Sequence, residues 1–158
     1  QSFYLNLIID KYKGGNKDIE IKSSKLKPGN PKLNKIVASL DSIGGRSTIK
    51  LIKKKKVEFD LNVKVTGRLL EVTSMIDMGN PKNIKLIEKE ITKSMKREIG
   101  KLVTYCQSKH SDVLGFGEIY RSSVRYSKLT DKRWYKMFKE AKVNVNVDFS
   151  VTRTGLNE

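Results

Sequence analysis

Residues 57–69 read VEFDLNVKVTGRL, and their side chains sort by parity. Val57, Phe59, Leu61, Val63, Val65, Gly67 and Leu69 hold the odd positions, while Glu58, Asp60, Asn62, Lys64, Thr66 and Arg68 hold the even ones. That is the period of a strand with one buried and one wet face. The C-terminal run repeats it, with Val143, Val145, Val147, Phe149 and Val151 on one side and Asn144, Asn146, Asp148, Ser150 and Thr152 on the other. Both segments are expected in an antiparallel sheet covered on one side only.

The cover is expected from a helix starting at Asn80-Pro81, since Asn caps helices well and Pro is preorganised for the first helical position. Its apolar stripe is Ile84, Ile87, Ile91, Met95, Ile99, Leu102 and Cys106, at spacings of three or four. Glu90 with Lys93 and Glu98 with Lys101 mark the opposite, charged side. Two shorter helices are predicted next. Ser111 or Asp112 caps one through Val113, Phe116, Glu118, Ile119 and Tyr120, and Asp131 caps another with Trp134, Tyr135, Met137 and Phe138 on its apolar side.

Upstream, Phe3, Leu5, Leu7 and Ile9 alternate with Tyr4, Asn6 and Ile8, which predicts a strand; Gly14-Gly15 turns the chain toward Ile19 and Ile21, completing an opening hairpin. Segment 27–46 holds Pro28-Gly29, Pro31 and Gly44-Gly45 around the short patch Ile36, Val37 and Leu40. It reads as an irregular, insertion-like excursion with at most a turn or two of helix. Thr48 to Ile52 is a short strand. The fold class is therefore α+β: an antiparallel sheet, one long amphipathic helix and shorter helices packed on one face, and a C-terminal strand returning to the sheet.

With 158 residues, the chain is expected to form a single domain over 1–158. Eleven Gly, three Pro and one Cys exclude a collagen-like or disulfide-stapled chain. No apolar run approaches the length of a membrane span, and the N-terminus lacks the order of a signal peptide. Gln1 already stands inside a strand-like run, as in an excised piece of a longer protein.

Lys+Arg number 33 against 17 Asp+Glu, a formal charge of +16. Residues 1–56 carry net +10 and residues 57–158 net +6. Lys53, Lys54, Lys55 and Lys56 form a run between two strands, either a solvated hairpin tip or a contact for phosphate on nucleic acid or lipid. Charge alone suggests a basic nucleic-acid-binding domain, but arginine is sparse and the aromatics do not interleave with the lysines.

Cys106 and His110 stand at metal-ligand spacing on a helix, yet Cys106 lies on the apolar stripe and reads as a buried inert thiol. His110, Ser111 and Asp112 are adjacent in sequence, which does not make a triad. Gly115-Phe116-Gly117 lacks the third glycine and the following Lys of a nucleotide loop; it reads as two glycines allowing close packing around a core Phe116, with Glu118 reaching a backbone amide or a basic neighbour. No metal, cofactor or catalytic residue is indicated.

Ser111 to Glu118 (SDVLGFGE), then Trp134 with Phe138, then Val143 to Asp148 (VNVNVD), then Arg153-Thr154-Gly155, resemble in order the C-terminal domain of the Ger(x)C family. The match is best over 57–156. Arg121 to Lys132 lacks the Pro-x-x-Trp common in that family, and Trp134 aligns with the later aromatic. The resemblance implies a non-enzymatic lipoprotein, the C subunit of a spore nutrient-germinant receptor, working beside membrane-embedded A and B subunits. It also implies a location on the outer surface of the spore inner membrane, through an N-terminal lipid anchor outside this fragment. Asp112, Gly115, Phe116, Gly117, Glu118, Trp134, Arg153 and Gly155 are its signature residues, expected to be structural or to make contacts. In that setting Lys53 to Lys56 become the candidate contact with an anionic membrane, and no nucleic acid is expected. The resemblance assigns no residue to a small-molecule germinant.

Overall fold

The computed structural model describes residues 2–9, 12–28 and 35–152. Its elements are α1 (Ser2–Ile9), β1 (Tyr12–Lys13), β2 (Lys17–Ile21), β3 (Ile36–Lys53), β4 (Glu58–Val72), α2 (Pro81–Ser108), α3 (Phe116–Ser123), α4 (Asp131–Glu140) and β5 (Lys142–Val151). The strands hydrogen-bond in the order β1-β3-β4-β5, with β2 also on β3. The fold class is α+β, and the C-terminal strand joins the sheet. The chain divides into two compact units, and β3, β4, β5 and α2 contribute residues to both.

The first unit comprises 1–11, 46–63 and 98–146. Its core gathers Leu7, Phe59, Leu61, Ile99, Phe116, Trp134 and Phe138, all at most 3% exposed. The N-terminal segment is a helix here, not the expected strand. Six of the eight residues in SFYLNLII are apolar, so the run satisfies both periods and docking decides. Tyr4, Leu7 and Ile8 become the buried side, and the Ile8 carbonyl, orphaned at the helix end, accepts from the Ser47 hydroxyl at 2.6 Å.

The second unit comprises 12–45, 64–97 and 147–158. In it β1 and β2 both pair antiparallel with β3, Tyr12 opposite Gly45 and Lys17 opposite Leu40 through Ile21 opposite Ile36. The predicted Gly14-Gly15 turn is present, both glycines at positive φ, and it joins two short strands on one neighbour, where a hairpin had been expected. The excursion expected over 27–46 is likewise corrected for residues 36–46, which belong to an 18-residue strand, while its residues 29–34 lie outside the described residues. Gly44-Gly45 read as a breaker, but Gly44 lies where a Cβ would come within 3.1 Å of the Thr66 hydroxyl, a close approach within the sheet. Ser42, at φ 48°, shifts the parity: Ile36, Ala38 and Leu40 are buried before it and Ile43 after it, as at a bulge.

Strand β4 buries Phe59, Leu61, Val63 and Val65 as the alternation predicts, and β5 buries Val145 and Phe149. Its direction differs from expectation. Lys142 N–H donates to Val57 C=O and Thr152 N–H to Gly67 C=O, both at 2.9 Å, so partner numbers rise together and β5 runs parallel to β4. The sheet is thus mixed. One-sided alternation reports which face is covered, not which way the neighbour runs; the long helical connection returns the chain to the starting end of β4.

Helix α2 starts as predicted, with the Asn80 side chain accepting from Lys82 N–H at 3.0 Å. Ile87, Ile91, Met95 and Ile99 are fully buried. Within the second unit, the buried Ser94 hydroxyl donates to the Glu20 carbonyl of β2 at 2.6 Å, and Glu88 accepts from Val151 N–H at 2.7 Å.

Candidate functional site

The signature block builds a knot around one carboxylate. Asp112 accepts from Phe116 N–H at 2.9 Å, from Gly117 N–H at 2.6 Å, and from the Trp134 indole N–H at 2.9 Å. Two of these donors are the otherwise unsatisfied first amides of α3, where negative charge also suits the helix dipole. The third ties α4 to them. Gly115, at φ +84°, is the N-cap of α3, so the helix begins at Phe116, later than the Ser111 or Asp112 start expected from the sequence.

Around this carboxylate the rings close-pack. Trp134 stacks on Phe138 with centroids 5.5 Å apart, Phe116 lies 5.4 Å from Phe138, and Phe59 of β4 meets Phe116 edge-on at 5.0 Å. A Cβ on Gly117 would come within 2.8 Å of Trp134 Nε1 and 2.9 Å of Asp112 Oδ2, which accounts for glycine there. At Gly115 the reason is different: the space is open and the positive φ is what favours glycine. Glu118, expected to reach a backbone amide or a basic neighbour, is exposed, and the Phe116 and Gly117 amides are taken by Asp112.

Helix α4 is capped by Thr130, whose hydroxyl accepts from Arg133 N–H, and not by Asp131, which is exposed and pairs with Arg121 at 3.2 Å. Gln107 joins α2 to the end of α4 by donating to the carbonyls of Phe138 and Ala141. Cys106 is buried, and burial, with the Asp112 charge added, pushes its thiol pKa up. His110 lies beyond the end of α2 at φ 53°, with its N–H directed to Gln107 C=O and Ser111 N–H to Cys106 C=O, a Schellman stop. The Cys106–His110 spacing is thus a helix ending. Among the described residues, no three His, Cys, Asp or Glu side chains gather as a metal site.

At the β3–β4 turn the lysine run divides. Lys53 pairs with Glu58 at 2.8 Å, and Glu58 also accepts from Asn144 at 2.9 Å and faces Lys142 at 3.5 Å. These partners, Lys53 first, hold the Glu58 carboxyl down at about 2. Lys54, Lys55 and Lys56 are exposed, and the last two line an open groove of about 600 Å³ with Val57, Met137, Glu140 and Lys142. Sequence reasoning missed Glu58; its place directly after four lysines, on the wet face of β4, was the available signal. Arg153 and Gly155 lie outside the described residues.

Fold and knot define a class, a basic α+β domain whose most distinctive residues hold its own core together. The family described as Spore germination B3/GerAC like, C-terminal, matches residues 1–155, and the chain belongs to that family. It is 26% identical over 157 residues to the spore germination protein GerQC of Bacillus cereus, which covers 99% of this chain and 41% of that protein. The crystal structure of the GerBC protein matches with a TM-score of 0.66 at 14% identity, over 95% of this chain and 44% of that one; this likeness shows the fold. The chain spans about two fifths of the length of these relatives.

Proposed function

We propose that this chain is the C-terminal domain of a germinant-receptor C subunit, working as one domain and without catalysis, through contacts with membrane-embedded A and B subunits. The family match along the chain carries the reading. It is supported by the inward use of the signature: Asp112, Phe116, Gly117 and Trp134 are committed to one another and leave no nucleophile, base and orienting group together. In this reading the parent protein sits on the outer surface of the spore inner membrane by an N-terminal lipid anchor. Lys54, Lys55 and Lys56 at the β3–β4 turn are one exposed basic surface available to the anionic leaflet, with Lys53 held back by Glu58.

Removing the coding region for residues 1–158 from a strain with no redundant receptor is expected to abolish or slow the response to a nutrient germinant; an unchanged response overturns the proposal. Co-purification of the parent protein with the membrane subunits separates two roles. Partners lost with the domain make it an assembly module, whereas partners retained with germination lost place its work in signalling after assembly.

A further inference from the structure

Lys82, Lys85, Lys89, Lys93 and Lys96 stand at spacings of three, four, four and three along α2, and all five are exposed. At 100° per residue they fall within an arc of about 80°, roughly opposite the buried Ile87, Ile91 and Met95, and they run for about 21 Å along the axis. No carboxylate lies within that arc. Glu88 is turned to Val151 N–H, and Glu90 is 3% exposed and paired with Lys93. Among the described residues, no carboxylate lies within ion-pair distance of Lys82, Lys85, Lys89 or Lys96.

Local stability does not explain such a stripe. Like charges three and four apart on a helix repel, and cations in the first turns oppose the helix dipole; the first turn of α2 has no acidic residue to compensate. The stripe also contains no aromatic, no large apolar side chain and no arginine. Protein interfaces deplete lysine from their desolvated centres, and phosphate recognition at fixed positions favours the arginine fork. A laterally fluid layer of anionic headgroups needs neither: it asks only for mobile, hydrated positive charges spread along a line. We infer that the solvent face of α2, from Lys82 to Lys96, is a docking surface for an anionic lipid bilayer. The inference rests on the membrane-surface reading above and assigns the contact to a different element from the β3–β4 turn.

The test is sedimentation of the chain with vesicles of phosphatidylglycerol and phosphatidylcholine, and with phosphatidylcholine alone, at about 50 mM salt, where charge is weakly screened. The stripe variant carries Lys82→Gln, Lys85→Gln, Lys89→Gln and Lys96→Gln; the turn variant carries Lys53→Gln, Lys54→Gln, Lys55→Gln and Lys56→Gln. Both lose four positive charges, which matches them in net charge; the turn variant also releases Glu58 from Lys53. Binding to anionic vesicles is expected to fall at least about a hundredfold in the stripe variant and far less in the turn variant. Four arginines at the stripe positions are expected to restore it, and circular dichroism with a melting curve verifies the fold of each variant. Equal losses in both variants would reduce the effect to net charge and overturn the inference. Loss only in the turn variant would overturn it while leaving the membrane reading in place. Failure of the unmodified chain to bind anionic vesicles would remove both.

Discussion

Asp112 satisfies three donors from two helices, so truncating it strands all three in or beside the aromatic core. Asp112→Ala is expected to cost about 3 kcal/mol in urea unfolding, because donors left without partners lose more than the bond itself. The two glycines beside it separate cleanly. Gly117→Ala pushes a methyl into the Trp134 indole and should cost about 2–3 kcal/mol, whereas Gly115→Ala meets open space and should cost only about 1 kcal/mol of backbone strain. Similar costs at both positions would refute the packing account of Gly117. Glu58 predicts a pH effect. Its folded pKa of about 2 lies below its ordinary 4.5, so its contribution is full above pH 4.5 and drains away as pH falls toward 2. Melting curves of the chain and of Glu58→Gln are expected to converge over that window; a constant gap would mean that the Lys53 and Asn144 contacts do not bias its ionisation.

The elements differ in how local their causes are. Helix α2 begins where an Asn cap and a following Pro say it should, and β4 and β5 bury the faces their alternation marks. Helix α4 obeys a cap one residue earlier than the carboxylate suggests. Thr130→Ala should destabilise by about 1 kcal/mol, whereas Asp131→Asn, losing an exposed pair with Arg121 and an exposed first-turn charge, should cost less, about 0.5 kcal/mol. The reverse ranking by thermal melting would return the cap to Asp131. Segment 2–9 was illegible for a definite reason: a nearly all-apolar octet carries no period, so the surface it docks on selects helix over strand. Segment 36–46 departs from its irregular reading because glycines that signal breaks in isolation also permit close approach inside a sheet, as Gly44 does beside Thr66.

Across the whole molecule, a net charge of +16 repels itself. Raising the salt from roughly 10 mM to roughly 150 mM, which shortens the screening length to about 8 Å, is therefore expected to raise the melting temperature. A fall would mean that specific pairs such as Arg68 with Asp41, joined through Nε at 2.7 Å and through a second guanidinium nitrogen, outweigh the repulsion. Legible from local sequence is whatever depends on neighbours within a turn or along a strand: the period of β4 and β5, the start and buried stripe of α2, the aromatic content of α4, and the ordered signature that points to the family. Whatever depends on distant partners follows from how the whole chain packs. The parallel pairing of β5 comes from where the helical connection delivers it, α1 from the surface available to it, and the role of Asp112 from an indole 22 residues away. Local physics sets which side of an element seeks burial; the partner that buries it is chosen by the rest of the chain.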